Sequence, residues 1–191
     1  MALVLGRSRR DTGSMTVKGQ PADRRSIHEE LERARVDLHH LVATATTADL
    51  RRRTDGTRWT NQQMLWHMAF GYIIVSRLLL LVRLFGRLPD PFGRALAAVL
   101  NAGTAPFHHV NYLGSVGGAL VFHGQRLTRQ FDHTIDRLHR GLDADSDEAL
   151  ARGMHFPVGW DPFFRDTMTL EEVYRYGTQH YAFHRAQLTL E

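Results

Sequence analysis

Cysteine is absent from this chain. That excludes a disulfide framework, a thiolate metal site and a cysteine nucleophile, so any bound metal must be held by nitrogen and oxygen. Lysine is nearly absent as well. Lys18 is the only lysine among 24 cationic side chains, and the rest are arginine. This skew reads as the codon bias of a GC-rich genome. The net charge is +4, but the arginines are scattered apart from the runs Arg7–Arg10 and Arg51–Arg53. Nucleic-acid recognition needs a clustered basic patch, so no nucleic-acid partner is expected. An uninterrupted membrane span is lacking too. The most apolar stretch, which ends near Phe85, contains Arg77 and Arg83, and each arginine costs about 3 kcal/mol at a bilayer centre.

The composition that remains is that of a globular protein, with 43% hydrophobic and 23% charged residues over 191 positions. This is enough chain for one domain with a real core. Ala2–Leu5 is too short for a signal-peptide core, and arginines follow it rather than precede it. Residues 1–22 are therefore expected to be a disordered tail, with Met15 a candidate alternative start. Residues 23–191 are expected to form the domain, and the location expected is cytoplasmic.

Apolar periodicity predicts four principal helices. Helix one runs from about Arg24 to Thr47, with Ser26 and Glu29 at capping-box spacing and Ile27, Leu31, Ala34, Leu38, Leu41 and Ala45 on one face. Helix two follows Trp59–Thr60, where Thr60 and Gln63 repeat the capping box, and reaches Phe85. Its inner stripe reads Met64, His67, Gly71, Ile74, Leu78, Leu81 and Phe85, with His67 the only ionisable member. Helix two is also apolar off that stripe, at Ile73, Leu80 and Leu84, so it needs cover on more than one side. Either the following segment or a second subunit supplies that cover, and a homodimer is expected. Gly86–Gly114 reads as a long connection, a lid or oligomer element around a short helical piece, Phe92–Leu100. Helix three spans about Ser115–Leu142, with Val116, Leu120, His123, Leu127, Phe131, Ile135 and Leu138 in register. The stretch from Asp143 to Asp166 reads as a loop. Helix four starts at Thr169, with Glu172 completing a capping box, and runs to the end of the chain.

The chemistry lies in the histidines. His180 and His184 are four residues apart, which places both imidazoles on one helix face, one turn apart. Neutral imidazole is the commonest protein ligand of metal ions. With His67 on the inner stripe of another helix, the three histidines form a candidate metal site with open coordination positions. The bland alternative is a hydrogen-bonded polar cluster. Trp59, Gln63, His123, Phe156 and Trp160 are the candidate pocket or supporting residues, although His123 also fits a core histidine bonded to a neighbour. His108 and His109, adjacent in a connection, read mainly as surface.

Trp59–Thr60, His67 seven residues after that cap, and the His180–His184 pair together resemble the DinB (YfiT-like) superfamily of metal-dependent enzymes. Trp160–Asp161–Pro162–Phe163–Phe164 and Arg185–Ala186–Gln187–Leu188 look like its DinB-like subgroup. The resemblance covers roughly Arg24–Glu191. It implies an all-α fold, an up-down-down-up four-helix bundle, here with a long connection between helices two and three, often dimeric. It also implies a divalent metal on three histidine-type ligands, His67, His180 and His184. Zinc or nickel is the expected ion, with iron a further option. Several relatives are thiol-dependent transferases or isomerases, so the resemblance implies a small-molecule substrate and a low-molecular-weight thiol of the mycothiol type as cosubstrate. A metal-dependent hydrolase is the related option. The alternative is a non-catalytic bundle that binds a metal or an apolar ligand and acts by dimerising or by meeting a membrane surface.

Overall fold

A computed structural model describes residues 22–190; the tail expected over residues 1–22 lies almost wholly outside the described residues. The described chain is mostly helical. Its elements in order are α1 (Arg24–Thr44), α2 (Thr47–Arg51), α3 (Asn61–Phe85), α4 (Asp90–Ala102), α5 (Thr104–Val121), α6 (Gln125–Ala144), α7 (Asp147–Leu150), β1 (Gly153–His155), β2 (Thr167–Thr169) and α8 (Leu170–Arg185). The two strands pair antiparallel, Met154 opposite Met168, within the stretch expected to be only loop.

The helix starts follow from side-chain capping. Thr60 and Gln63 exchange hydrogen bonds at the start of α3, and Thr169 and Glu172 do the same for α8. Each box satisfies two backbone N–H groups that a helix start leaves without partners. In α1 the cap is Asp23 rather than Ser26. The Asp23 carboxylate accepts from the Ser26 N–H at 3.0 Å, and Glu29 pairs with Arg25 instead. Asp23 and Ser26 are also three apart, and aspartate is as good an N-cap as serine.

Four helices enclose the core. α1 packs on α6 and α8, and α3 packs on α6 and α8, closing a cycle; α5 lies against α3 outside it. The interior holds Ile27, Leu31 and Leu38 from α1, Met64, Met68, Tyr72 and Val75 from α3, Phe131 and Ile135 from α6, and Val173 and Tyr174 from α8. α3 is long and apolar enough to cross a membrane by length and composition. In this fold it is the central helix, touching α5, α6 and α8.

Further expectations are corrected. The helix read as continuous from Ser115 to Leu142 is broken at Phe122–Gly124 into α5 and α6. Gly124 has φ +50°, a conformation that glycine adopts without steric penalty, and the chain turns there. The register does not survive the break: Leu120 is 74% exposed and His123 is exposed. The segment read as a connection around Phe92–Leu100 is almost all helical, α4 followed by most of α5. Pro91 and Pro106 both lie in first turns, where a missing N–H costs nothing. This segment does not cover the outer face of α3: Ile73 is half-buried, but Leu80 and Leu84 remain exposed.

Candidate metal centre

His67 on α3 and His180 and His184 on α8 meet at the contact between these two helices. One ligand nitrogen from each lies within 4.8 Å of the others. The approach depends on Gly71: a Cβ there would lie 2.7 Å from His180 Nδ1. His67 and His180 are buried and His184 is partly so.

The hydrogen bonds around the rings fix where their lone pairs point. Ser115 Oγ donates its single proton to the Asn111 carbonyl at 2.8 Å. It therefore accepts the 2.9 Å bond from His67 Nδ1–H, which leaves His67 Nε2 a bare lone pair. His184 Nδ1 donates to Gln187 Oε1 at 2.8 Å, which leaves His184 Nε2 bare as well. The two bare nitrogens face one another at 3.2 Å. Two lone pairs repel unless a cation lies between them. Two ligand nitrogens of one tetrahedral ion are about 3.3 Å apart at bond lengths of about 2.0–2.1 Å, so the observed spacing is that of neighbouring ligands.

A proton is a poor candidate for that cation. Burial and the neighbouring imidazoles hold His67 well below the ordinary histidine range. Burial, with help from His184, pushes His180 down to about 3. Burial also lowers His184, although Gln187 and Asp161 oppose it. Desolvation disfavours the charged ring in each case, and neutral imidazole is the form that binds metal.

Asp161 completes the electrostatics. Its Oδ2 accepts from Tyr176 Oη at 2.9 Å and lies 4.0 Å from His180 Nε2; its Oδ1 accepts from the Phe163 N–H at 2.9 Å. Burial raises its pKa, opposed first by the hydrogen bonds from the Phe163 N–H and Tyr176 Oη and then by the nearby His184 and His108. A partly buried carboxylate beside three neutral imidazoles is a place where a cation is stabilised.

The sequence-expected residues divide. Trp59 packs its ring 4.3 Å from that of His67 and 6.3 Å from that of His184. Trp160 lines a small cavity over His67 and His180, stacks on Phe107 at 4.0 Å, and donates through Nε1 to the Leu100 carbonyl. Gln63 is committed to the α3 cap, where its side chain accepts from the Thr60 N–H. Phe156 is buried behind the cavity wall, edge-on to Phe164. His123 lies in a different cleft, with Val42, Leu50 and Leu127, because the helix breaks beside it. His108 is exposed and bonds the Gly159 carbonyl, and His109 is exposed. Ser115, Gln187, Asp161 and Tyr176 were not singled out from sequence. Only Asp161 and Gln187 carried a signal, since both stand inside quoted motifs.

A family model described as the DinB superfamily matches residues 30–188. The chain belongs to the DinB superfamily. The match spans both histidine-bearing helices and everything between them, so the cluster lies inside the DinB region. No curated protein and no solved structure matches the chain.

Proposed function

We propose that this DinB protein is a divalent-metal-dependent enzyme whose ion is held by His67, His180 and His184. The observation that carries the reading is the pair of bare Nε2 atoms 3.2 Å apart, each fixed by a hydrogen bond on its far nitrogen. Such outer partners orient a ligating imidazole and set its tautomer. The closed cycle of α1, α6, α3 and α8 is then the family's four-helix bundle, with α4 and α5 a cover beside it. Nitrogen and oxygen donors suit zinc or nickel, and iron as well. Three protein ligands leave an open position, where a bound divalent ion lowers the pKa of a protic ligand such as water or a thiol.

The chain's own groups shape that position. The cavity over His67 and His180 has a volume of about 30 Å³, walled by Phe70, Phe107, Trp160 and Phe164. A water needs roughly 10–15 Å³ measured this way, so this space suits water and is too small for a mycothiol-type thiol. A space of this size favours hydrolytic chemistry. A thiol-dependent transferase reaction requires the aromatic-walled space to widen. The test is a panel of small ester, amide and thiol-conjugation substrates with metal-loaded protein. Turnover should require metal and vanish in His67→Ala with the helical fold retained. Turnover that survives metal removal would overturn the reading.

We also propose that the protein is a homodimer. Leu80 and Leu84 on α3, and Val110, Leu113 and Leu120 on α5, stand exposed. α5 has no charged residue over its 18 positions, and exposed apolar surface of this kind marks interaction sites. Light scattering should give twice the chain mass; a monomer at micromolar concentration would refute it.

A further inference from the structure

We propose that Asp161 controls which ligand the open coordination position accepts, favouring a hydrogen-bond donor such as water over a preformed anion. The inference rests on the metal-site reading above and adds a role for a residue outside the three histidines. Asp161 lines the same small cavity as His67 and His180. Its Oδ2 lies 4.0 Å from His180 Nε2, too far for a hydrogen bond but close enough for both atoms to border one small ligand.

The carboxylate is held in place from behind. Tyr176 Oη donates to Oδ2 at 2.9 Å and the Phe163 N–H donates to Oδ1 at 2.9 Å. Tyr176 is buried on α8, one turn before His180, so the helix that carries two of the histidines also fixes the acid. Two donors do not saturate a carboxylate, which offers about four acceptor sites. The free acceptor capacity on Oδ2 borders a cavity whose other walls are largely aromatic. A water there donates a hydrogen bond to this oxygen. A halide or other small anion has no proton to give and meets the carboxylate's negative charge at short range in a poorly screened site.

The same charge has two opposed consequences. It attracts the metal cation and repels anionic ligands of that cation. Removing it should therefore weaken one affinity and strengthen the other, which a merely structural role does not do. The test uses the full chain loaded with Co²⁺, read through its visible spectrum, with fluoride as the anion because it is the size of water. In Asp161→Asn, Co²⁺ binding should weaken about tenfold, at the lower end for loss of an outer partner. Fluoride affinity of the loaded protein should rise by a similar factor. Asp161→Ser removes the same charge and serves if the asparagine variant does not fold. Unchanged affinities, or both weakening together, would overturn the role of Asp161 while leaving the histidine site standing. Failure of the wild-type protein to bind Co²⁺ at all would overturn the metal site and this inference with it.

Discussion

Substituting Gly71 with alanine tests whether the α3–α8 approach is set by the metal centre. The new methyl would sit 2.7 Å from His180 Nδ1 and 2.9 Å from Cε1. Ordinary contact begins near 3.4 Å, so the ring must retreat by about 0.7 Å or the helices must part. Overpacking of this kind costs about 1–3 kcal/mol. Alanine in place of glycine within a helix returns about 1 kcal/mol. The net destabilisation is then only about 0–2 kcal/mol, a drop of at most about 8 °C in Tm for a domain of this size. Metal binding is far less tolerant, because a functional site must hold its groups within about 0.5 Å. Calorimetric titration with Zn²⁺ should show affinity reduced about 10–100-fold, as when an outer partner of a ligand is lost. Gly141→Ala on α6 is the control: its Cβ would lie 2.9 Å from Tyr174 Oη, a clash away from the histidines. That variant should lose stability and keep near-wild-type metal affinity. Undiminished Zn²⁺ affinity in Gly71→Ala would refute the geometry of the site.

Acidification should destabilise the metal-free protein through the same histidines. Their folded-state pKa values are depressed, to about 3 for His180. Unfolded chains therefore take up protons first as pH falls below about 6.5, with a slope of up to about 1.4 kcal/mol per pH unit per histidine. The stability is fully present above that pH and declines toward pH 3. Urea midpoints at pH 7, 6 and 5 should fall less steeply in His180→Gln, and equal slopes would count against the buried neutral rings. Removing Arg83, which donates twice to the Asp145 carboxylate beside Tyr174 Oη, should cost about 1–3 kcal/mol in Arg83→Ala, the cost of leaving a buried acceptor without its donor. Metal affinity should not change, because this network lies apart from the histidines; altered Zn²⁺ binding would contradict that separation. Trp160→Ala deletes the ring stacked on Phe107 and should speed metal loss to a chelator several-fold in stopped-flow measurements. An unchanged rate would mean that the aromatic wall does not guard the site.

Much of this was legible from local pattern. Thr60–Gln63 and Thr169–Glu172 announced two helix starts because a capping box is complete within four residues. The His180–His184 pair was readable for the same reason, and His67 followed from its place on an apolar stripe. Features that depend on distant partners were not readable. Ser115 matters because α5 folds back onto α3, and 48 residues separate it from His67. Asp161 and Tyr176 meet only through the path of the loop before α8. The break at Phe122–Gly124 defeated periodicity, since apolar residues on both sides kept the register while one glycine changed the chain direction. The Asp23 cap was hidden by a second capping residue three positions on.

Metal content of the purified protein tests the central claim most directly. After exposure to Zn²⁺ and exhaustive dialysis, elemental analysis should find about one ion per wild-type chain. His184→Ala should hold close to none, with its helical circular dichroism preserved. Wild-type protein without metal, or a His184→Ala variant that retains a full equivalent, would contradict the three-histidine site.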